Sequence, residues 1–102
     1  MIVYLAGPMS GIEGYNRDAF AKAEKELRKL GYKVINPGVL PTDLPKKAYM
    51  PICLAMIEAA DVVAFLEGSE GSDGAMLEKR YVSYQGKDFA SVDWLLGISD
   101  DD

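Results

Sequence analysis

The stretch that most constrains the fold of this chain is an apolar run that stops at a loop of glycine, serine and acid and then leads into a helical pattern. The apolar run covers residues 62–66, the loop covers residues 67–72, and helical spacing begins at about Asp73. A strand, a turn and a helix in this order place backbone N–H groups and a helix N-terminus at the carboxyl end of a parallel sheet. Glu78 falls in the second turn of this helix, where its carboxylate can point back over the loop. The simpler alternative is that Glu78 is an ordinary solvent-exposed helix residue.

The same alternation of short apolar runs and helical patterns extends along the chain. Asn16 is the predicted N-cap of the first helix, and Pro51 is predicted in the first turn of the second. Because right-handed crossovers put helices on both faces of such a sheet, we predict an α/β fold with an open, mostly parallel sheet of order 2-1-3-4, or one with a short fifth edge strand. A single domain is expected over residues 1–96, followed by a frayed acidic tail over 97–102. Strands are predicted at 2–6, 32–36, 62–66 and, weakly, within 87–95, and helices at about 17–30, 49–60 and 73–85.

The composition of the chain narrows the classes of partner. The formal net charge is -5, from 16 acidic against 11 basic residues. Duplex DNA and anionic membranes attract positively charged proteins, so neither partner is favoured. Cys53 is the only cysteine, which excludes an internal disulfide and suits a reducing cytosol. The chain has no histidine, so a metal site is not expected. The sequence shows neither a signal peptide nor an apolar run of membrane length. We therefore expect a cytoplasmic protein that binds neither nucleic acid nor membrane.

A second glycine-rich loop follows the first predicted strand. Residues 7–15 contain three glycines, a proline and a serine. Strand order 2-1-3-4 places the switch point between strands 1 and 3, so this loop and the loop at 67–72 are expected to meet. Together they can offer backbone N–H groups and the hydroxyls of Ser10 and Ser72 to an anion, for which a phosphate is the obvious choice. The alternative is that the glycines only permit tight turns.

Tyr4 lies inside the first predicted strand and is expected in the core, where its hydroxyl needs a hydrogen-bond partner. Glu78 is a candidate for that partner. A carboxylate in a dry pocket near a phosphate suits attack on the anomeric carbon of a sugar as that carbon acquires oxocarbenium character. The chain has neither the Gly-x-Gly-x-x-Gly pattern after strand 1 nor a P-loop lysine, so hydride transfer is not predicted.

Six short segments, which together span about residues 2–87, carry a resemblance to a known family. They read Val3-Tyr4-Leu5-Ala6-Gly7-Pro8-Met9-Ser10-Gly11, Gly31-Tyr32-Lys33-Val34-Ile35-Asn36-Pro37, Tyr49-Met50, Ala60-Asp61-Val62-Val63-Ala64-Phe65-Leu66, Gly71-Ser72-Asp73-Gly74-Ala75-Met76-Leu77-Glu78 and Gly86-Lys87. Each segment is weakly specific, but their order and spacing together are strongly so. In that order they resemble the nucleoside 2-deoxyribosyltransferase-like superfamily, and within it the small, often phage-encoded family known as DUF4406.

The resemblance implies a flavodoxin-like fold, homodimers or higher assemblies, and cleavage or exchange of N-glycosidic bonds in deoxynucleosides or their 5′-monophosphates without any cofactor. The family's nucleophilic glutamate falls on Glu78, the glycine eight positions later falls on Gly86, and the strand-1 tyrosine falls on Tyr4. Related hydrolases of nucleoside monophosphates hold the phosphate with the loop after strand 1 and with a serine six residues before the nucleophile. The resemblance also implies a bacterial cytosol or that of a phage-infected host. The implied substrate- and phosphate-binding residues are Gly7, Met9, Ser10, Gly11, Ser72 and Gly74.

Two departures from the family pattern bear on activity. The second-helix aspartate of the superfamily falls on Cys53, and a thiol is a poor substitute for a carboxyl group that must exchange a proton near neutral pH. The usual Pro-Gly-Trp after strand 3 reads Glu67-Gly68-Ser69, which removes an aromatic side chain. Glu67, Glu70 or Asp73 could supply the missing acid.

The resemblance favours a nucleoside 5′-monophosphate N-glycosidase or deoxyribosyltransferase-like enzyme. The alternatives are a catalytically impaired nucleotide-binding protein of the same fold and a structural interaction module.

Overall fold

The protein is built on a four-stranded parallel sheet. The computed structural model describes residues 1–9 and 11–97, and its strands are β1 (Ile2–Ala6), β2 (Lys33–Ile35), β3 (Val62–Phe65) and β4 (Asp88–Ser91). Over these residues the strand order is β2-β1-β3-β4 with every neighbouring pair parallel. The predicted order and the α/β, flavodoxin-like class are therefore confirmed, and the sheet in this part of the chain has no fifth strand.

Helices cover both faces of the sheet. They are α1 (Arg17–Lys29), α2 (Lys46–Glu58), α3 (Asp73–Gln85) and the short α4 (Val92–Leu95). Because successive side chains of a strand point to opposite sides, Val3 and Leu5 of β1 contribute to the core beneath α1, whereas Tyr4 and Ala6 contribute to the core beneath α2 and α3. The first core also contains Phe20, Ala23, Leu27, Val34, Val62, Ala64 and Val92, and the second contains Ile57, Ala60, Val63 and Val82.

Asn16 occupies the predicted N-cap position of α1, but its side chain does not cap the helix. Three consecutive residues before α1 have left-handed backbone, with φ of 63° at Gly14, 56° at Tyr15 and 60° at Asn16. This left-handed turn directs the Asn16 carboxamide across the first loop, where Nδ2 donates to the carbonyl of Pro8 at 2.9 Å. The predicted capping interaction is wrong, and the residue instead connects the loop to the start of α1.

The second helix begins earlier than predicted. α2 begins at Lys46 rather than Tyr49, so Pro51 lies inside the helix and not in its first turn. Pro45 has extended backbone, with φ of -57° and ψ of 143°, and it marks the end of the irregular excursion after β2. Proline has no N–H group to donate to the helical carbonyl four residues earlier. Because Pro51 is exposed, this carbonyl lies on the solvent-facing side of the helix, where a water molecule can donate instead.

The edge of the sheet also differs from the prediction. The strand expected within residues 87–95 ends at Ser91, and the apolar alternation that suggested it continues into α4. Ser91 Oγ accepts a hydrogen bond from the Trp94 N–H at 3.0 Å, which caps this helical turn. The other boundaries agree with the predictions to within about two residues, as is usual for element ends.

Two further observations concern the ends of elements and of the chain. Asp61 lies at the amino end of β3, where it accepts a hydrogen bond from the Ile2 N–H at 2.7 Å, so its role is structural. The tail predicted over residues 97–102 lies, apart from Gly97, outside the described residues. None of the helices that the structure describes combines the length and the apolar character needed to cross a bilayer.

Candidate functional site

A buried hydrogen bond between Tyr4 and Glu78 lies at the centre of the candidate site. The Tyr4 hydroxyl donates to Glu78 Oε2 at 2.6 Å. The two side chains are 1% and 6% exposed, so this polar pair is almost sealed from water by the α2–α3 side of the sheet. The structure thus brings together the two residues for which the sequence suggested catalytic roles, from positions 74 residues apart.

The start of α3 determines where Glu78 points. Ser72 is the N-cap of α3, and its Oγ accepts a hydrogen bond from the Ala75 N–H at 3.2 Å. Residues three and four apart share one face of a helix, and the neighbours of Glu78 on this spacing, Ala75 and Val82, are both buried. Glu78 therefore belongs to the face that packs on the sheet. The alternative of an ordinary solvent-exposed glutamate does not apply.

The environment of Glu78 shifts its ionisation toward neutral pH. Burial raises the pKa of the Glu78 carboxyl to about 7, and the hydrogen bond from Tyr4 acts in the opposite direction because it favours the charged form. Burial and the nearby Glu78 carboxylate raise the pKa of Tyr4 well above its usual range, so the phenol keeps its proton and remains a donor. Glu78 can therefore exist in both protonation states near neutral pH, as residues with catalytic roles often do.

Cys53 completes this cluster from α2. Its side chain is half-buried and lies near Tyr4. Burial raises the pKa of the Cys53 thiol, the neighbouring Tyr4 hydroxyl lowers it, and the charge on Glu78 raises it. The thiol is therefore neutral near pH 7. Glu67, Glu70 and Asp73, which the sequence offered as substitutes for the missing acid, are all exposed and do not join this buried cluster.

The two glycine-rich loops converge above the ends of β1 and β3. The Leu66 N–H donates to the Ala6 carbonyl at 2.8 Å, which joins the points where the two loops begin. A Cβ atom added to Gly7 would lie 3.0 Å from Leu66 Cβ, and one added to Gly68 would lie 3.5 Å from Pro8 Cγ. The loops are therefore in direct contact, as the strand order predicted.

The residues predicted to bind a phosphate are distributed around this junction. Ser72 uses its oxygen as the acceptor for Ala75, which leaves the hydroxyl proton free to be donated to an anion. Gly11 is exposed with a φ of 79°, whereas Met9 is half-buried and packs against the core on the α1 side of the sheet. Gly7 lies at the crowded contact with Leu66, and Ser10 lies outside the described residues.

Met50 is a neighbour of the site that sequence reasoning did not identify. A Cβ atom added to Gly74 would lie 3.8 Å from the terminal methyl group of Met50, which brings α2 against the N-terminus of α3. Met50 precedes Cys53 by three residues, so both lie on the same face of α2. This spacing was a usable signal, because both residues lie inside the helix predicted over about 49–60.

Two shallow depressions lie elsewhere on the surface. Each has a volume of about 390 Å³ and neither includes Tyr4, Cys53 or Glu78. The residues that the structure describes also contain no group of three or more His, Cys, Asp or Glu side chains that could hold a metal ion. The first depression is lined by Met76, Lys79, Arg80 and Ser83 of α3, and the second by Glu58, Ala60, Asp61, Gln85, Gly86 and Lys87.

The left-handed backbone of Gly68 provides a test of the loop geometry. Gly68 has a φ of 87°, a conformation that costs a residue with a Cβ atom about 1–2 kcal/mol. We expect Gly68→Ala to lower the free energy of unfolding by about 1 kcal/mol or more in urea titrations. Gly71→Ala is the matched control, because Gly71 lies in the same loop without a positive φ and with open space around its Cβ position. Equal stability of the two variants would contradict the assigned loop conformation.

Comparison with known proteins gives one match for this chain. A family model described as "Domain of unknown function (DUF4406)" matches residues 1–90, a span that contains every residue of the candidate site. No curated protein and no solved structure matches the chain.

Proposed function

The chain belongs to the DUF4406 family, and we propose that it is a nucleoside 5′-monophosphate N-glycosidase or deoxyribosyltransferase-like enzyme that acts through Glu78. The observation that carries this proposal is the buried hydrogen bond between Tyr4 and Glu78, which lies on the same side of the sheet as the start of α3. A buried carboxylate on the helix that follows one of two converging loops suits a substrate with an anomeric carbon and a phosphate, because the loops offer backbone N–H groups.

In the proposed reaction Glu78 acts as a nucleophile. Its ionised carboxylate attacks C1′, the bond between C1′ and the base breaks, and the base departs with the bonding electrons and takes a proton from the solvent. Water or a second base then attacks C1′ and loses a proton to the solvent. The bond between C1′ and Glu78 breaks, which releases the carboxylate and completes a double displacement. Because Tyr4 donates to Oε2, it orients the carboxylate, and no hydrogen bond from the described residues engages Oε1, which can form the new bond.

The loops support the proposed choice of a phosphorylated substrate. The formal net charge of -5 does not attract anions in general, so a phosphate would depend on local donors. Such donors are the hydroxyl proton of Ser72, the backbone N–H groups at the start of α3 and those of the loop after β1. This arrangement favours a nucleoside monophosphate over a free nucleoside.

Direct assay of base release tests the proposal. Purified protein is incubated separately with each deoxynucleoside 5′-monophosphate and with the matching deoxynucleosides, and the mixtures are chromatographed for free base. We expect base release that depends on the protein and is faster from at least one monophosphate than from its nucleoside. No release from any of the monophosphates or nucleosides would contradict the proposed enzyme.

A second candidate function is nucleotide binding without turnover, and the state of Cys53 favours it. The thiol beside Tyr4 is neutral, because burial raises its pKa, and it cannot supply the charge of a carboxylate at this position. Saturable thermal stabilisation by a nucleotide without base release would support binding alone. A Cys53→Asp variant that gains base release would support it further, whereas base release by the unaltered protein would exclude it.

Replacement of Tyr4 by phenylalanine tests how Tyr4 acts on Glu78. The hydrogen bond from Tyr4 favours the charged form of Glu78, so its loss should move the acid limb of the pH–rate profile from about pH 7 to higher pH. The loss of a hydrogen bond to a charged group should also lower kcat by about 10- to 100-fold. Tyr32→Phe is the control, because Tyr32 packs against the core on the other face of the sheet. An unchanged profile in Tyr4→Phe would exclude the positioning role.

A further inference from the structure

The buried carboxylate of Glu78 has no positively charged partner in the part of the chain that the structure describes. The only ion pair there joins Arg28 to Glu24, and both of these residues belong to α1. Lys79 and Arg80 directly follow Glu78 in α3, but their side chains are exposed. When Glu78 is ionised, it is therefore a buried charge without a countercharge, which is an unfavourable state in a protein interior.

A substrate with a positive charge near C1′ supplies this countercharge. In an interior that excludes water, opposite charges attract each other much more strongly than they do in bulk solvent. A positive charge on the ring of the base lies next to C1′, which is the atom that Glu78 is proposed to attack. It also offsets part of the negative charge of the phosphate, so the nucleotide is repelled less by a protein with a formal net charge of -5. Electrostatics therefore favour a cationic base over a neutral one.

The side chains around Glu78 are also poor proton donors for a departing base. The Tyr4 proton is already donated to Glu78 Oε2 at 2.6 Å, and burial raises the pKa of this phenol well above its usual range. The Cys53 thiol is a weak acid because burial raises its pKa, and the acidic side chains of the loop after β3 are exposed. The chain contains no histidine. A neutral base gains a proton as it leaves, whereas a cationic base leaves as a neutral molecule without one.

We propose that this site selects nucleoside 5′-monophosphates whose base carries a positive charge on the ring bonded to C1′, as in pyridinium and N-alkylated purine nucleotides. This inference rests on the proposed function, because it concerns the substrate that Glu78 attacks. The buried carboxylate without a countercharge favours binding of such a base. The weak proton donors around it favour the departure of such a base over that of a neutral one.

The reaction with a cationic base balances without an acid. Glu78 Oε1 forms a bond to C1′ while the bond between C1′ and the ring nitrogen breaks. The electron pair of the broken bond returns to the ring nitrogen and cancels its positive charge, so the base leaves as a neutral molecule. Water then attacks C1′, loses a proton to the solvent and displaces the carboxylate. The products are the neutral base, deoxyribose 5-phosphate and one proton.

Release of nicotinamide from nicotinamide 2′-deoxyriboside 5′-monophosphate, a permanent pyridinium cation, tests the proposal. The full chain is assayed at about pH 8, above the pKa of Glu78, with the common deoxynucleoside 5′-monophosphates as neutral comparators. Each rate is divided by the rate for the same substrate in buffer without protein. We expect this acceleration to be about 100-fold greater or more for the pyridinium nucleotide, because general acid catalysis typically contributes about 10²–10⁴-fold.

Two outcomes of this assay are adverse, and they differ in meaning. A neutral nucleotide that is accelerated as much as the pyridinium nucleotide, or more, would overturn the inference and leave the proposed function standing. No base release from any of these nucleotides would overturn both.

Binding to Glu78→Gln tests the electrostatic part of the proposal without turnover. Glutamine still accepts the hydrogen bond from Tyr4 but carries no charge. In thermal-shift titrations we expect the affinity for the pyridinium nucleotide to fall about tenfold or more, and the affinity for its uncharged dihydropyridine form to stay unchanged. Glu70→Gln is the matched control, because Glu70 is exposed, and it should change neither affinity. An unchanged affinity of Glu78→Gln for the pyridinium nucleotide, or an equal loss for both forms, would overturn the proposal.

Discussion

Glu78→Gln is expected to abolish release of free base from deoxynucleoside monophosphates, with a fall in kcat of about 10⁴-fold or more, as is usual when a nucleophile is removed. The amide has nearly the shape of the carboxyl group and can still accept the hydrogen bond from Tyr4, but it does not attack C1′. Because the Tyr4 contact is kept, nucleotide binding should be retained. Chromatographic assay of base release together with thermal-shift measurement of nucleotide binding separates the two effects.

Glu70→Gln is the control for this variant. Glu70 lies in the loop after β3, a few residues before Glu78, but its side chain is exposed. The same chemical change at this position should leave kcat within about twofold of the unaltered protein, since exposed groups outside the site contribute little to the barrier. Comparable losses in both variants, or full activity in Glu78→Gln, would show that Glu78 is not the nucleophile.

The second large effect is a dependence of stability on pH that arises from Glu78. The pKa of this carboxyl is about 7 in the folded protein against 4.5 in its ordinary environment, so the fold favours the protonated form. The stabilisation that the protonated Glu78 carboxyl contributes to the fold is fully present below about pH 4.5 and is lost as the pH rises through about 7. The loss amounts to about 3 kcal/mol, and it needs little reduction for solvent screening because Glu78 is only 6% exposed.

Urea denaturation of Glu78→Gln and the unaltered protein measures this contribution. Glutamine resembles the protonated glutamate, so the two proteins should have similar free energies of unfolding near pH 4.5. At about pH 8 the variant should be more stable by up to about 3 kcal/mol. The difference between the proteins isolates Glu78 from the other titrating groups. If the difference in free energy of unfolding between the two proteins stays constant across this pH range, Glu78 has its ordinary pKa in the folded protein.

Much of the fold and the central contact of the site followed from periodic patterns in the sequence. Right-handed crossovers leave few arrangements for alternating strands and helices, so the strand order could be predicted. Tyr4 points to one face of the sheet because of its parity in β1, and Glu78 points to the same face because it is spaced by three from Ala75 in α3. Both positions depend only on regular geometry, which short stretches of sequence specify.

The features that could not be predicted depend on irregular backbone. The Asn16 side chain was assigned to a cap because its residue type favours one, but the left-handed turn through Tyr15 directs it to Pro8. The start of α2 was set by Pro45 and not by Pro51, and a proline is compatible with either position. In each case the local sequence permits two conformations, so residue type alone does not select one.

The hydrogen bond from Asn16 to Pro8 affects how the loop after β1 would meet a ligand. It joins Pro8, near the start of this loop, to Asn16, the residue just before α1, whose Phe20 is fully buried in the core. The two ends of the loop are thereby held together when the chain folds, and part of the conformational entropy of ordering the loop is lost at that stage. A molecule that binds there afterwards loses less of this entropy and keeps more of its contact energy as affinity.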